Sequence, residues 1–109
     1  MTLLDLKSTL SLDCVCGSAD DKEWDGVYAG DLLSRAMSHV KLDNVWITIM
    51  SNTNVIAVAS LTEAACVILA EGVELLPEAL EAAKENGITL FSSPLTVYEL
   101  CAKIADAAK

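Results

Sequence analysis

The sequence predicts an α/β fold: one domain spanning 1–109, with a mostly parallel sheet of about five strands flanked by helices. Three observations predict it. The runs VWITIM (45–50) and CVILA (66–70) are almost wholly apolar, as suits strands buried on both faces. Segments with apolar residues at helical spacing alternate with such runs to the end of the chain. Cap residues and glycines punctuate the boundaries, and no linker or internal repeat divides the chain.

The first element is a helix. Thr2 precedes Leu3, Leu6 and Leu10, and Asp5 places an acid in the first turn. Residues 11–16 then alternate, so Leu12, Cys14 and Cys16 are expected on one face of a short strand. A polar turn follows over 17–22, and 23–28 forms a second strand candidate. Asp31 is a natural N-cap for the helix marked by Leu32, Leu33, Ala36, Met37 and Val40.

VWITIM is the next strand, and Ser51, Asn52, Thr53 and Asn54 form a cap cluster after it. Propensity favours a strand over 55–61. The cap residues before it, and the apolar run after it, favour a short helix, and a helix is expected there. CVILA is a buried strand closed by Gly72. Pro77 opens a helix whose apolar face is Ala79, Leu80 and Ala83, and Gly87 stops it. A short strand covers 88–91. Thr96 and Glu99 make a capping box for a final helix with Val97, Leu100, Cys101, Ile104, Ala105 and Ala108 on its buried face.

Composition excludes several function classes. The net charge is −9, and the seven basic residues are scattered. Nucleic-acid binding needs clustered Lys and Arg, so none is expected. An anionic membrane surface is disfavoured for the same reason. No apolar stretch is long enough to span a bilayer, and the N-terminus does not read as a signal peptide. A cytoplasmic location with reduced thiols is the expectation.

Each reactive-looking residue has a plain structural role open to it. Cys14 and Cys16 form a CxC, which can contribute to a thiolate metal or redox site. Structural zinc needs about four ligands, and Cys66, Cys101 and His39 are single. Buried thiols are the preferred reading. His39 lies late in a predicted helix, where a cation favours the dipole, and no nucleophile motif accompanies it. No catalytic residue, cofactor or metal is therefore expected. No GxGxxG or Walker A loop is present. Two strand-to-helix junctions still carry groups suited to a phosphate: Gly30, Asp31 and Ser34 at one, and Thr48, Ser51, Asn52, Thr53 and Asn54 at the other. Helix capping alone would use the same residues.

At these residues the chain resembles the DRTGG domain. The segments that carry the likeness are GVYAGDLLS (26–34), residues 45–72, PEALEAAKENGITLF (77–91) and SPLTVYELCAKI (93–104). The resemblance implies a regulatory α/β domain without an assigned catalytic activity. Such domains accompany CBS-domain pyrophosphatases and phosphotransacetylases, and are distantly similar to the N-terminal domains of HPr kinases. Ser51 and Asn52 stand where the family's Asp-Arg pair falls, and Ala70, Glu71 and Gly72 stand at its Thr-Gly-Gly. Only Gly72 matches, and it joins the candidate ligand residues.

The expected function is a non-catalytic regulatory or ligand-sensing module acting through self-association or a protein partner. The alternative is a domain binding a nucleotide or other small anionic ligand at the two junctions. Third comes a cysteine-based metal or redox protein. A homodimer is expected from the mean hydropathy of +0.44 in so short a chain, with contacts over 55–61 and near Trp46.

Overall fold

A computed structural model describes residues 1–108. The elements run α1 (Leu3–Leu10), β1 (Asp13–Cys16), β2 (Val27–Ala29), α2 (Leu33–His39), β3 (Val45–Thr48), α3 (Thr53–Thr62), β4 (Cys66–Leu69), α4 (Pro77–Glu85), β5 (Leu90–Ser92) and α5 (Val97–Ala107). The five strands form one sheet in the order β1-β5-β4-β3-β2. β2 to β5 are parallel, and β1 joins the edge antiparallel to β5.

Alternate residues of each strand face opposite layers. Trp46, Val67, Leu69 and Leu90 point to one side, where Ala36, Val55, Ile56, Val58, Ala59, Ala79 and Ala83 bring α2, α3 and α4 against them. Val45, Ile47, Cys66, Ile68 and Phe91 point to the other, under Leu3 and Leu6 of α1 and Leu100 and Ile104 of α5. One layer therefore has three helices and the other two. β3 and β4 are buried on both faces, as their composition required.

Both capping boxes form. Thr2 accepts from the Asp5 N–H at 3.1 Å and Asp5 accepts from the Thr2 N–H at 3.0 Å; Thr96 and Glu99 repeat the pattern at 3.2 and 3.1 Å. The partner threonine's N–H, and then its hydroxyl, hold each carboxyl below its usual range. Their stabilising effect is complete above the unfolded carboxylate value and fades as pH falls through the lowered folded value. Urea midpoints should therefore drop between about pH 5 and about pH 2, and Glu99→Gln should flatten that slope. Thr96→Ala should cost about 0.5–2 kcal/mol at neutral pH.

Several sequence expectations are corrected. The second strand covers only Val27–Ala29 and not 23–28. Backbone groups of residues 22–25 instead engage Met1, Leu3, Asp43 and the Asn44 side chain, and Gly26 turns with φ +78°. In β1 the register slips between Cys14 and Cys16. That bulge breaks the alternation: Leu12 faces α1 and α5, Cys16 faces the other layer, and Cys14 is exposed rather than buried. Asp31 does not cap α2. Its N-cap is Leu32, with no side-chain bond. Ala105 and Ala108 are exposed, because they border an open hollow over β2 rather than a packed neighbour.

The proposed contact elements also change. Trp46 is fully buried, and β3 is an inner strand. α3 turns Val55, Ile56, Val58 and Ala59 inward. Only Ala57, Ser60 and Leu61 of residues 55–61 face outward.

Candidate functional site

The carboxyl ends of β2, β3, β4 and β5 lie along one edge of the sheet, because those strands are parallel. Backbone groups left unpaired there make such an edge the usual ligand side of an open α/β sheet.

At the β2 end, the Asp31 carboxylate accepts from the Thr48 hydroxyl at 2.7 Å and from the Ile49 N–H at 3.0 Å. Thr48 is fully buried and its oxygen accepts from the Met50 N–H at 3.3 Å. Asp31 thus staples the start of the β2–α2 connection to the end of β3. Gly30 works in the same staple: its N–H extends the ladder to Ile47 at 3.1 Å, and its carbonyl accepts from the Trp46 indole at 3.0 Å. Ser34 sits exposed in the first turn of α2, a helix of seven residues.

At the β3 end, Asn52 caps α3 by accepting from the Asn54 N–H at 3.1 Å. The Ser51 carbonyl takes the Leu76 N–H at 3.1 Å, which ties this loop to the one after β4. Thr53 opens the helix and lines a shallow groove against α4. The structure brings Gly30, Asp31 and Thr48 together, and the groups that bond there serve the fold. Asn54 lies one residue further along α3.

Gly72 lies elsewhere. Glu71 and Gly72 both turn with positive φ, +59° and +70°, and their N–H groups go to Leu95 and Ser93. This turn opens a cleft of 580 Å³ between the ends of β4 and β5. Leu69, Val73, Leu75, Leu80 and Pro94 form its apolar walls, with Val15 of β1 opposite. Ser92, Ser93, Asp13 and Glu74 bring the polar atoms. Asp13 arrives because β1 runs antiparallel, so its first residue pairs with Ser92.

The cleft has a topological cause. After β4 the chain turns to α4, on one layer; after β5 it turns to α5, on the other. Adjacent connections that leave on opposite faces part at the strand ends and leave a crevice. The connections after β2 and β3 both leave on one face, so they part nowhere. Sequence reasoning names candidate ligand residues at those two junctions, and of the residues lining the cleft it names only Gly72. The one available signal was the divergence of the last two helices, which requires knowing which face each one packs on.

A second hollow, of 780 Å³, lies where the two-helix layer stops short of β2. Its floor is Val27 and Ala29, and α5 flanks it with Cys101, Ala105 and Ala108. Trp24 borders it, with its indole N–H buried and without a hydrogen-bond partner among the described residues.

The thiols do not form one donor set. Cys14 lies opposite Phe91 and Cys16 opposite Leu90, whose side chains face different layers. Burial pushes the Cys66 thiol up to about 12 and raises Cys101 as well. Maleimide added to the folded protein should modify Cys14 first and Cys101 more slowly. Cys16 and Cys66 should react only on denaturation, as intact mass would show. His39 ends α2 as expected, with Nδ1 2.9 Å from the Arg35 carbonyl and its ring stacked on Tyr28 at 5.9 Å. No helix among the described residues is long and apolar enough to cross a membrane.

The single sheet between two helical layers, open at its carboxyl edge and creviced where its connections diverge, defines the class of open-sheet α/β domains. Within that class, the chain belongs to the DRTGG domain family, whose model matches residues 5–107. The fold matches the crystal structure of the CBS and DRTGG domains of the regulatory region of Clostridium perfringens pyrophosphatase, complexed with its activator diadenosine tetraphosphate. The TM-score is 0.74 at 17% identity, over 94% of this chain and 45% of that one. The chain thus spans less than half of the structure it resembles. No curated protein matches it in sequence.

Proposed function

We propose that this chain is a non-catalytic regulatory module that senses a small ligand and acts through self-association. The observation that carries the reading is membership of the DRTGG family, whose fold recurs in a pyrophosphatase regulatory region bound to an activator. The cleft between β4 and β5 supports the sensing half. The hollow over β2 supports the association half. A copy related by a two-fold axis can lay its α5 flank on Val27 and Ala29, and receive the first copy's flank in return. Vacant floor and apolar flank lie side by side on each copy, so one surface complements itself.

Sedimentation equilibrium over a hundredfold concentration range should give a mass that rises towards twice 11.6 kDa. Ala105→Arg, at an exposed position, should hold the protein at monomer mass, with a cooperative melting curve that no longer depends on protein concentration. A constant monomer mass for the unsubstituted protein would overturn self-association.

A further inference from the structure

We infer that the cleft between β4 and β5 takes an uncharged, nucleoside-type ligand: a flat ring with hydroxyl donors and no phosphate. The inference rests on the ligand-sensing reading and names the chemistry of its site.

The volume of 580 Å³ lies within the range of small-molecule sites. Apolar walls come from both sides: Val15 from β1, and Leu75 and Leu80 from the β4–α4 connection and α4. Walls of this kind bury the faces of a planar ring. The polar groups at the rim are chiefly acceptors. The carboxylates of Asp13 and Glu74 are exposed and make no hydrogen bond or ion pair among the described residues. An ionised carboxylate accepts only, so it matches ligand hydroxyl or amino donors. Two vicinal hydroxyls, as on a ribose, suit one carboxylate well.

Charge excludes the phosphorylated relatives. None of the residues lining the cleft is Lys, Arg or His. Glu71 is exposed beside Gly72 and adds a third acid to the surroundings. The turn's N–H groups, of the kind that cradle an anion when free, are spent on the Leu95 and Ser93 carbonyls. A phosphate brought here would meet like charge with no cation to offset it and only the Ser92 and Ser93 hydroxyls to donate, on a chain of net charge −9.

The test is calorimetry with adenosine and with ATP. Adenosine should bind saturably with one site per chain, and ATP at least tenfold more weakly. Val15→Trp fills the cleft from an exposed strand position and should weaken adenosine at least tenfold. Glu74→Gln leaves the fold alone and should weaken it severalfold, while Ser34→Ala, at the β2–α2 junction, should not change it. ATP binding as tightly as adenosine, unaltered adenosine binding in both Val15→Trp and Glu74→Gln, or no saturable adenosine binding at all would overturn the inference. Sedimentation without ligand tests self-association separately, so the two ideas fail on different measurements.

Discussion

Trp46→Ala should destabilise the protein by about 3–5 kcal/mol, most of what so short a domain has to lose. Trp46 is the largest of the fully buried side chains. It projects from the inner strand β3 into the layer of α2, α3 and α4, so no neighbour can collapse into the space without moving a helix. Its indole N–H also holds the Gly30 carbonyl at 3.0 Å, and truncation leaves that acceptor without a partner. Urea denaturation by circular dichroism would show the loss as a lower midpoint with an unchanged slope. Trp46→Phe separates the two contributions. It keeps a ring in the cavity and loses the hydrogen bond, so it should cost clearly less than the alanine. A loss under about 1 kcal/mol for the alanine would mean that the site relaxes freely, contrary to a close-packed layer.

Asp31→Ala should cost about 1.5–3 kcal/mol, and the loss should be coupled to Thr48. The carboxylate accepts two hydrogen bonds from the end of β3, one from a hydroxyl that is wholly buried. Removing it leaves that hydroxyl without its acceptor. Asp31→Asn retains an amide oxygen at the same place and should recover part of the loss. A double-mutant cycle with Thr48→Val decides the mechanism. The staple predicts a coupling of at least about 0.5 kcal/mol, whereas an Asp31 that acted on α2 alone would give additive losses.

Asp31 also marks where local reasoning stops. A carboxylate just before an apolar run with helical period is a cap by every local criterion. The decisive partner lies seventeen residues on, at the end of another strand, and only the parallel pairing of β2 with β3 brings it near. Other elements were legible because their causes are local. α3 reads as a helix against its β-branched propensity because cap residues precede it and an apolar run follows it, and Thr96 and Glu99 announce α5. Cys14 was misplaced because a bulge is invisible to an alternation rule. Ala105 and Ala108 fit the apolar stripe of α5, yet they border an open hollow over β2 that no other element fills. The candidate site was the least legible part. Capping residues look alike at every junction, while the crevice depends on α4 and α5 packing on opposite layers.

The antiparallel edge has a consequence for the order in which the cleft is built. The pairs β2–β3, β3–β4 and β4–β5 each join strands consecutive in sequence, across a single helical connection. β1 pairs with β5, from the opposite end of the chain, and closing so large a loop carries the greatest entropic cost in the sheet. On a ribosome β1 must wait for nearly the whole chain to emerge. It is also an edge strand of four residues, three of them exposed, so burial ties it down little. Val15 and Asp13 ride on it. The wall that closes the cleft is therefore the last to arrive during folding and is held by little burial, and a molecule wedged against it would slow amide exchange in β1 while leaving the opposite edge strand β2 unchanged.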